Sequence, residues 1–444
     1  MSSTPSRTQP APLTAPSTRR AVFNTIRGSL GNLVEWYDVY IYTVFATYLQ
    51  ANFFAEGEPN AGIYTLAIFA VTFVMRPVGS WFFGRYADRH GRRPALVFSI
   101  SLMAAASLVI AVTPTAETIG AGAVVLLVLC RLVQGFATGG EYGTSATYMS
   151  EAATQGRRGF FSSFQYVTLV GGHVLAQATL LIQQAFLTDE QINDFGWRIA
   201  FFIGAISAVV VLFLRRGMDE TMRHDGTKKS GSMVELFTAY PKQLLVCFLV
   251  TLGGTIAFYT YSVNGPRIIK GVYAEDGMTG TWINFIALVL LMLMQPVGGW
   301  LSDKVGRRPL LIGFGVAGVL WTYTFLTLLP TVTSPVASFL LITGTYVILT
   351  GYTSINAVVK AELFPSHVRA LGVGLGYALA NSIFGGTAPV IYEAATENGA
   401  ESAFAIYVTA AIAVSLVVYV FVLQRSRNYL DTEVVERSPE PARV

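Results

Sequence analysis

The sequence predicts an all-α polytopic membrane protein of twelve transmembrane helices, arranged as two pseudo-symmetric six-helix halves. Three observations carry this. Hydrophobic residues make up 53% of the 444 positions and charged residues only 13%, about half the charged share of a soluble domain. So few charges cannot cover a globular surface, and lipid must be the solvent for much of it. Apolar stretches near the ~20 residues needed to cross a bilayer recur along the chain, and two charged motifs return in nearly the same register.

The first six spans fall near 27–50, 61–84, 94–113, 118–147, 159–187 and 197–214. Six more fall near 242–268, 280–301, 309–329, 335–361, 369–392 and 402–423. Backbone groups in hydrocarbon must be satisfied within their own segment, so these spans are helices. The resulting organisation is a disordered tail over 1–24, a six-helix bundle over 25–214, a polar linker over 215–241, a second bundle over 242–424 and a tail over 425–444.

Gly84-x3-Asp88-x2-Gly91-Arg92-Arg93-Pro94 recurs as Gly299-x3-Asp303-x2-Gly306-Arg307-Arg308-Pro309, and Glu151-x6-Arg158 recurs as Glu362-x6-Arg369. Duplicated halves around a central site are a transporter architecture.

Lys and Arg set the orientation. Alternate loops collect Arg85, Arg89, Arg92, Arg93, Arg157, Arg158, Lys304, Arg307, Arg308 and the linker cations, while five opposite loops near 51–60, 112–117, 188–196, 330–334 and 393–401 hold none; Lys270 lies in the remaining outer loop, with Arg198 and Arg267 at span edges. The positive-inside rule places the basic side and both termini in the cytosol.

Other classes are disfavoured. The net charge of +4 is mild and not gathered in one tract, which argues against a nucleic-acid partner and suits an anionic lipid surface. Cys130 and Cys247 sit in apolar runs without metal-ligand spacing, and the four histidines are scattered, so no metal site or enzyme chemistry is expected. No phosphate-binding loop supplies ATP drive. The first nineteen residues have neither a signal-peptide core nor a cleavage site.

The repeated loops resemble the signature of the major facilitator superfamily. Segments Gly31–Asp38, Arg76–Asp88 and Gly139–Glu151 are similar to the metabolite–proton symporter family. Phe164–Gly172, Lys360–Pro365 and Ala370–Gly376 resemble its 2-oxoglutarate-carrying branch. The likeness runs from about residue 20 to 425. It implies proton-coupled uptake of 2-oxoglutarate across a bacterial inner membrane, with the proton as coupling ion and no other cofactor; a monomer is the separate expectation. Citrate or another organic anion is the alternative cargo, and a transporter-like sensor a more distant one. The short C-terminal tail shows no sustained heptads, unlike the osmosensing betaine/proline branch.

An ionisable side chain in mid-membrane costs roughly 2.5–3.5 kcal/mol on insertion scales and marks a functional position. Arg76 in span 2 and Arg131 in span 4 lie near their span centres. Each guanidinium matches a carboxylate bidentately, and a dicarboxylate needs two such receptors. The competing reading pairs these cations with Glu35, Asp38 or Glu141 inside the bundle.

In span 4, Arg131, Gln134, Thr138, Glu141 and Ser145 form one polar stripe, while Gly135, Gly139 and Gly143 give a packing face. In span 1, Glu35, Asp38 and Tyr42 share a face. A carboxylate there is pushed toward its neutral form by burial and back by a nearby arginine. Asp38 is therefore the leading proton carrier, followed by Glu35 and with Glu141 as a further candidate; a permanent salt bridge to Arg76 or Arg131 is the other reading of Asp38.

Tyr42, Gln134, Tyr166, His173, Tyr259 and Asn381 are expected to line the cavity, with a packing role as the favoured alternative for His173. Lys360 is either a third cation for the anion or a partner of the gate. Asp88, Arg92, Glu151 and Arg158, their counterparts Asp303, Arg307, Glu362 and Arg369, and His90 are read as a cytosolic gate; Arg92 is expected to pair with Glu151 and Arg307 with Glu362. A purely topological role for these basic loops is the alternative.

Overall fold

The computed structural model describes residues 18–54, 58, 60–90, 92–153, 156–216, 231–275, 277–423 and 428–431. Among the described residues, ten helices are long and apolar enough to cross a membrane. Spans 1 and 11, both broken and polar, complete the twelve.

Span 1 is Thr18–Val44 continued by Ala46–Phe53. Span 2 is Ala61–Val74 followed by Arg76–His90. Spans 3 to 6 are Arg92–Val112, Gly122–Ala152, Arg158–Phe186 and Trp197–Arg216. Span 7 runs Pro241–Tyr259, a π-helical turn Thr260–Asn264, then Gly265–Val272. Spans 8, 9 and 12 are Gly277–Val305, Arg307–Leu328 and Glu401–Phe421. Span 10 is Pro335–Thr353 with Asn356–Glu362. Span 11 is Arg369–Ala380, a π-helical turn Asn381–Gly385, and Ala388–Glu397.

Three sequence expectations need adjusting. The first helix starts at Thr18, inside the stretch read as a disordered tail. The linker contains a short helix, Met233–Ala239, capped where the Ser232 hydroxyl accepts from Glu235 N–H. The C-terminal tail includes residues 428–431, which return to the bundle: Leu430 is buried and its carbonyl accepts from Arg158.

The halves meet where span 5 packs on span 8 and where span 11 packs on spans 2 and 4. Glycines permit these approaches. A Cβ on Gly135 would sit 1.9 Å from the Thr72 carbonyl oxygen, and one on Gly139 2.2 Å from that of Arg76. Gly143 instead meets span 11, where a Cβ would lie 2.6 Å from the Ala370 carbonyl oxygen. The four-residue glycine spacing thus seats span 4 against span 2 in one half and span 11 in the other.

Candidate substrate site between the two halves

Span 2 breaks beside the site for a local reason. Pro77 has no N–H to give the Phe73 carbonyl, so that acceptor loses its regular helical donor. The Ser382 hydroxyl of span 11 donates to it instead. The break leaves Arg76 buried, 2% exposed, at the contact between the halves. None of its three guanidinium nitrogens has a hydrogen-bond partner among the described residues, and no carboxylate there pairs with it. Its guanidinium lies 4.0 Å from the Phe73 ring centroid and 5.1 Å from that of Trp36. The Tyr259 hydroxyl and the side-chain nitrogen and oxygen of Asn381 are likewise buried and make no well-formed hydrogen bond among the described residues, although Tyr259 lies close to both Asn381 and Arg76.

Arg131 is fully buried in span 4, over the Tyr42 ring at 4.4 Å. Its Nη1 donates to Gln134 Oε1 at 2.8 Å, while Nε and Nη2 have no partner among the described residues. Gln134 Nε2 then donates to Asp38 Oδ2 at 2.5 Å. The other Asp38 oxygen accepts from the Ser107 hydroxyl. Asp38 therefore faces spans 3 and 4 inside its own half and reaches Arg131 through an amide. Among the described residues, neither arginine forms the direct bundle salt bridge considered as an alternative.

Several expected lining residues are already occupied. The Tyr42 hydroxyl donates to the Thr65 carbonyl at 2.9 Å, so this residue offers its ring face to Arg131. Gln134 bridges charges within one half. His173 stacks on Tyr40, centroids 4.1 Å apart. Tyr166 sets its ring edge against Phe258 of span 7. Glu35 and Glu141 are both buried.

Lys360 is fully buried in span 10 and donates to the Tyr142 hydroxyl of span 4 at 3.0 Å. Tyr142 in turn donates to Asn356 at 2.9 Å and stacks on Tyr377 of span 11 at 3.5 Å. This cluster joins the halves on the side of the basic loops.

Nearer those loops, Asp303 accepts from the N–H groups of Gly159 (2.8 Å) and Phe160 (2.9 Å) at the start of span 5. Arg307 bonds Asp303 at 2.9 Å and lies 3.6 Å from Glu362. Arg158 pairs with Asp431 of the returning tail. Arg369 donates to the carbonyls of Ala361 and Phe364. The side chains of Asp88, His90, Arg92 and Glu151 lie outside the described residues.

Sequence reading missed Trp36, Phe73, Ser107, Tyr142 and Tyr377. One signal was available: Asn32, Trp36 and Tyr40 recur every four residues on a second face of span 1. Another was Gln295-Pro296-Val297-Gly298, which parallels Arg76-Pro77-Val78-Gly79. Where the first half has a cation beside its proline, the second has a neutral amide, and the mid-membrane arginines belong to the first half alone.

Two bundles closing on a central polar site define a secondary transporter, and the chain belongs to the sugar (and other) transporter family, whose model matches it twice, over residues 25–231 and 216–432. It is 42% identical to the α-ketoglutarate permease of Escherichia coli (strain K12), covering 94% of this chain and 97% of that one. It is 31% identical to the citrate-proton symporter of Klebsiella pneumoniae, over 90% of each chain. Among solved structures, the proton:xylose symporter XylE of the major facilitator superfamily, bound to 6-bromo-6-deoxy-D-glucose, superposes with a TM-score of 0.77. It shares 18% identity, with 93% of this chain and 98% of that chain covered.

Proposed function

We propose that this protein imports 2-oxoglutarate, or a closely similar dicarboxylate, together with protons across a bacterial inner membrane. It works as a monomer with both termini in the cytosol, by alternating access and with no cofactor beyond the coupling proton. The observation that carries this reading is the set of unpartnered guanidinium nitrogens, three on Arg76 and two on Arg131, buried where the halves meet. An unsatisfied buried donor is costly, and two carboxylates of one substrate satisfy both groups. The buried Tyr259 hydroxyl and Asn381 amide supply polar contacts from the second half. The likeness to an α-ketoglutarate permease supports the choice of dianion.

Proton coupling follows from the relay. With Asp38 ionised, Gln134 is pinned between Asp38 and Arg131 and holds the Arg131 fork in place. Protonation removes the charge that orients the Gln134 amide and frees Arg131 for a substrate carboxylate. Once the anion leaves to the cytosol, Arg131 restores the relay and the Asp38 proton departs on the same side. Glu35 and Glu141, also buried, are the other proton-bearing candidates. The protons are needed because each charge moved against the potential costs about 2.3 kcal/mol per 100 mV, so a dianion faces about twice that.

The gate closes on the cytosolic side. Asp303 complements the positive N-terminal end of span 5, and Arg307–Glu362 and Arg158–Asp431 add charge pairs around it. Asp88, Arg92, Glu151 and Arg369 are assigned to the same gate by the sequence repeat, and His90 by its place in the same loop.

Citrate is the second reading. It is favoured by Lys360, a further buried cation with only hydroxyl and ring partners among the described residues. The test is uptake of labelled 2-oxoglutarate into proteoliposomes under an imposed pH gradient, with citrate, succinate and proline as competitors. Gradient-driven accumulation blocked best by unlabelled 2-oxoglutarate is expected. Accumulation of citrate in preference, or none of any anion, rejects the assignment.

A further inference from the structure

The two site arginines are stabilised differently. Arg131 spends a nitrogen on Gln134, whereas Arg76 makes no well-formed hydrogen bond among the described residues and lies over two ring faces, with the Tyr259 hydroxyl nearby. A ring face attracts a cation through its quadrupole without occupying an N–H. The faces under Arg76 are themselves fixed. The Trp36 indole N–H donates to Asn32 Oδ1 at 3.1 Å. Asn32 Nδ2 donates to Thr168 Oγ1 at 2.7 Å and to the Gln165 carbonyl at 3.1 Å, tying the indole to span 5. Behind it Trp36 stacks on Tyr40 at 5.7 Å, and Tyr40 on His173. Phe73 is held through its carbonyl by Ser382 and packs edge-on to Tyr259 at 5.3 Å.

We propose that Trp36 and Phe73 are positioning residues for the anion site: they hold the Arg76 guanidinium buried and charged with every N–H free, making it a fixed anchor for one carboxylate. This rests on the reading of the site as one for an organic dianion. It divides the labour between the arginines, with Arg76 setting affinity and Arg131 joined to the proton relay. A carboxylate partner would have neutralised Arg76 equally well, but it would have filled the fork that the substrate must use.

Transport and melting of Trp36→Leu, Trp36→Phe, Phe73→Leu and Arg76→Gln, singly and combined, test this with 2-oxoglutarate as the probe. Trp36→Leu and Phe73→Leu are each expected to raise KM about tenfold while the maximal rate stays within about twofold, in line with loss of a desolvated cation–π contact. Trp36→Phe, which keeps a ring face, should recover most of the loss. In the Arg76→Gln background the same changes should move KM no further, because the cation they position is gone. Equal KM effects with and without Arg76 would overturn the proposal, since the rings would then act through packing alone. The melting arm needs no substrate. Trp36→Leu leaves Arg76 buried over one face fewer, so adding Arg76→Gln should raise its melting temperature, and a further drop sinks the idea. Absence of 2-oxoglutarate transport by the unaltered protein would instead reject the cargo assignment and leave the melting result to decide this one.

Discussion

Asp38 and Arg131 do not touch; Gln134 stands between them, accepting from the arginine at 2.8 Å through Oε1 and donating to the carboxylate at 2.5 Å through Nε2. An amide can do this because it carries an acceptor and two donors on one planar group. A direct ion pair inside hydrocarbon would be hard to open, since separating it strands two charges. Through the amide, loss of one proton-sensitive bond loosens the other without exposing either ion.

Gln134→Leu should therefore damage coupling more than binding. Deprived of its bridge, Arg131 still meets a carboxylate, but it no longer senses the state of Asp38. Counterflow of 2-oxoglutarate at equal pH on both sides should persist within a fewfold of the unaltered rate, while accumulation driven by a pH gradient collapses. Gln134→Glu places a second carboxylate in the relay and should likewise disturb coupling. Retained gradient-driven accumulation in Gln134→Leu would refute the relay.

Asp38→Asn keeps the shape and most of the hydrogen bonds to Ser107 and Gln134 but cannot ionise. Exchange should survive and uphill uptake should be lost. If Glu35→Gln produces that pattern and Asp38→Asn does not, the proton belongs to Glu35.

How far the sequence disclosed this site depends on whether a feature is local. The spans and the glycine face of span 4 follow from periods of about twenty residues and of four, which any helix must express. Arg76 and Arg131 stood out because a charge in hydrocarbon is conspicuous wherever it falls. Partnerships across the halves left no such trace. Nothing near Lys360 announces that Tyr142, more than two hundred positions earlier, will accept from its ammonium group, nor that Ser382 will repair the helix at Phe73. Gln134 lay on the expected polar stripe, and its neighbours on spans 1 and 3 rather than its spacing decide that it links two charges. Trp36 was hidden for a different reason: an aromatic in an apolar run reads as lipid-facing or core until a cation is found above it.

Arg76→Lys tests the geometry of the anchor. The charge remains, but the planar fork is replaced by a point charge on a flexible stem. Loss of a bidentate contact of this kind is worth about 1.5–3 kcal/mol, so the KM for 2-oxoglutarate should rise by roughly ten- to a hundredfold. A monocarboxylate competitor should lose less of its potency than a dicarboxylate if the second carboxylate reaches Arg131. Unchanged apparent affinity would remove Arg76 from the substrate.

The glycine contact between spans 4 and 2 offers a stability test independent of transport. A Cβ at Gly139 would meet the Arg76 carbonyl oxygen at 2.2 Å, and backbone cannot retreat as a flexible side chain can. Gly139→Ala should therefore cost about 1–3 kcal/mol, as overpacking does, read as a lower melting temperature in detergent, and Gly139→Val should prevent recovery of folded protein. Gly344→Ala, where an added Cβ meets nothing within 4 Å, is the matched control and should melt as the unaltered chain does.

Closure on the basic-loop side makes the last prediction. Asp303 receives two backbone N–H groups from span 5 and a guanidinium from Arg307, so Asp303→Asn removes charge from three favourable contacts at once. Asp431 also meets a cation, the buried Arg158, but its own side chain is 62% exposed, so solvent screens its end of the pair. With Cys130 and Cys247 replaced, a cysteine introduced at Ser163, which lies against Gly299 in the closed seam, reports opening by its rate of alkylation. Asp303→Asn should speed alkylation by tenfold or more, and Asp431→Asn by a fewfold at most. The two changes together should exceed either alone if tail and loop close the same gate. A rate set by Asp431 and indifferent to Asp303 would mean that the returning tail, and not the repeated loop, holds this side shut.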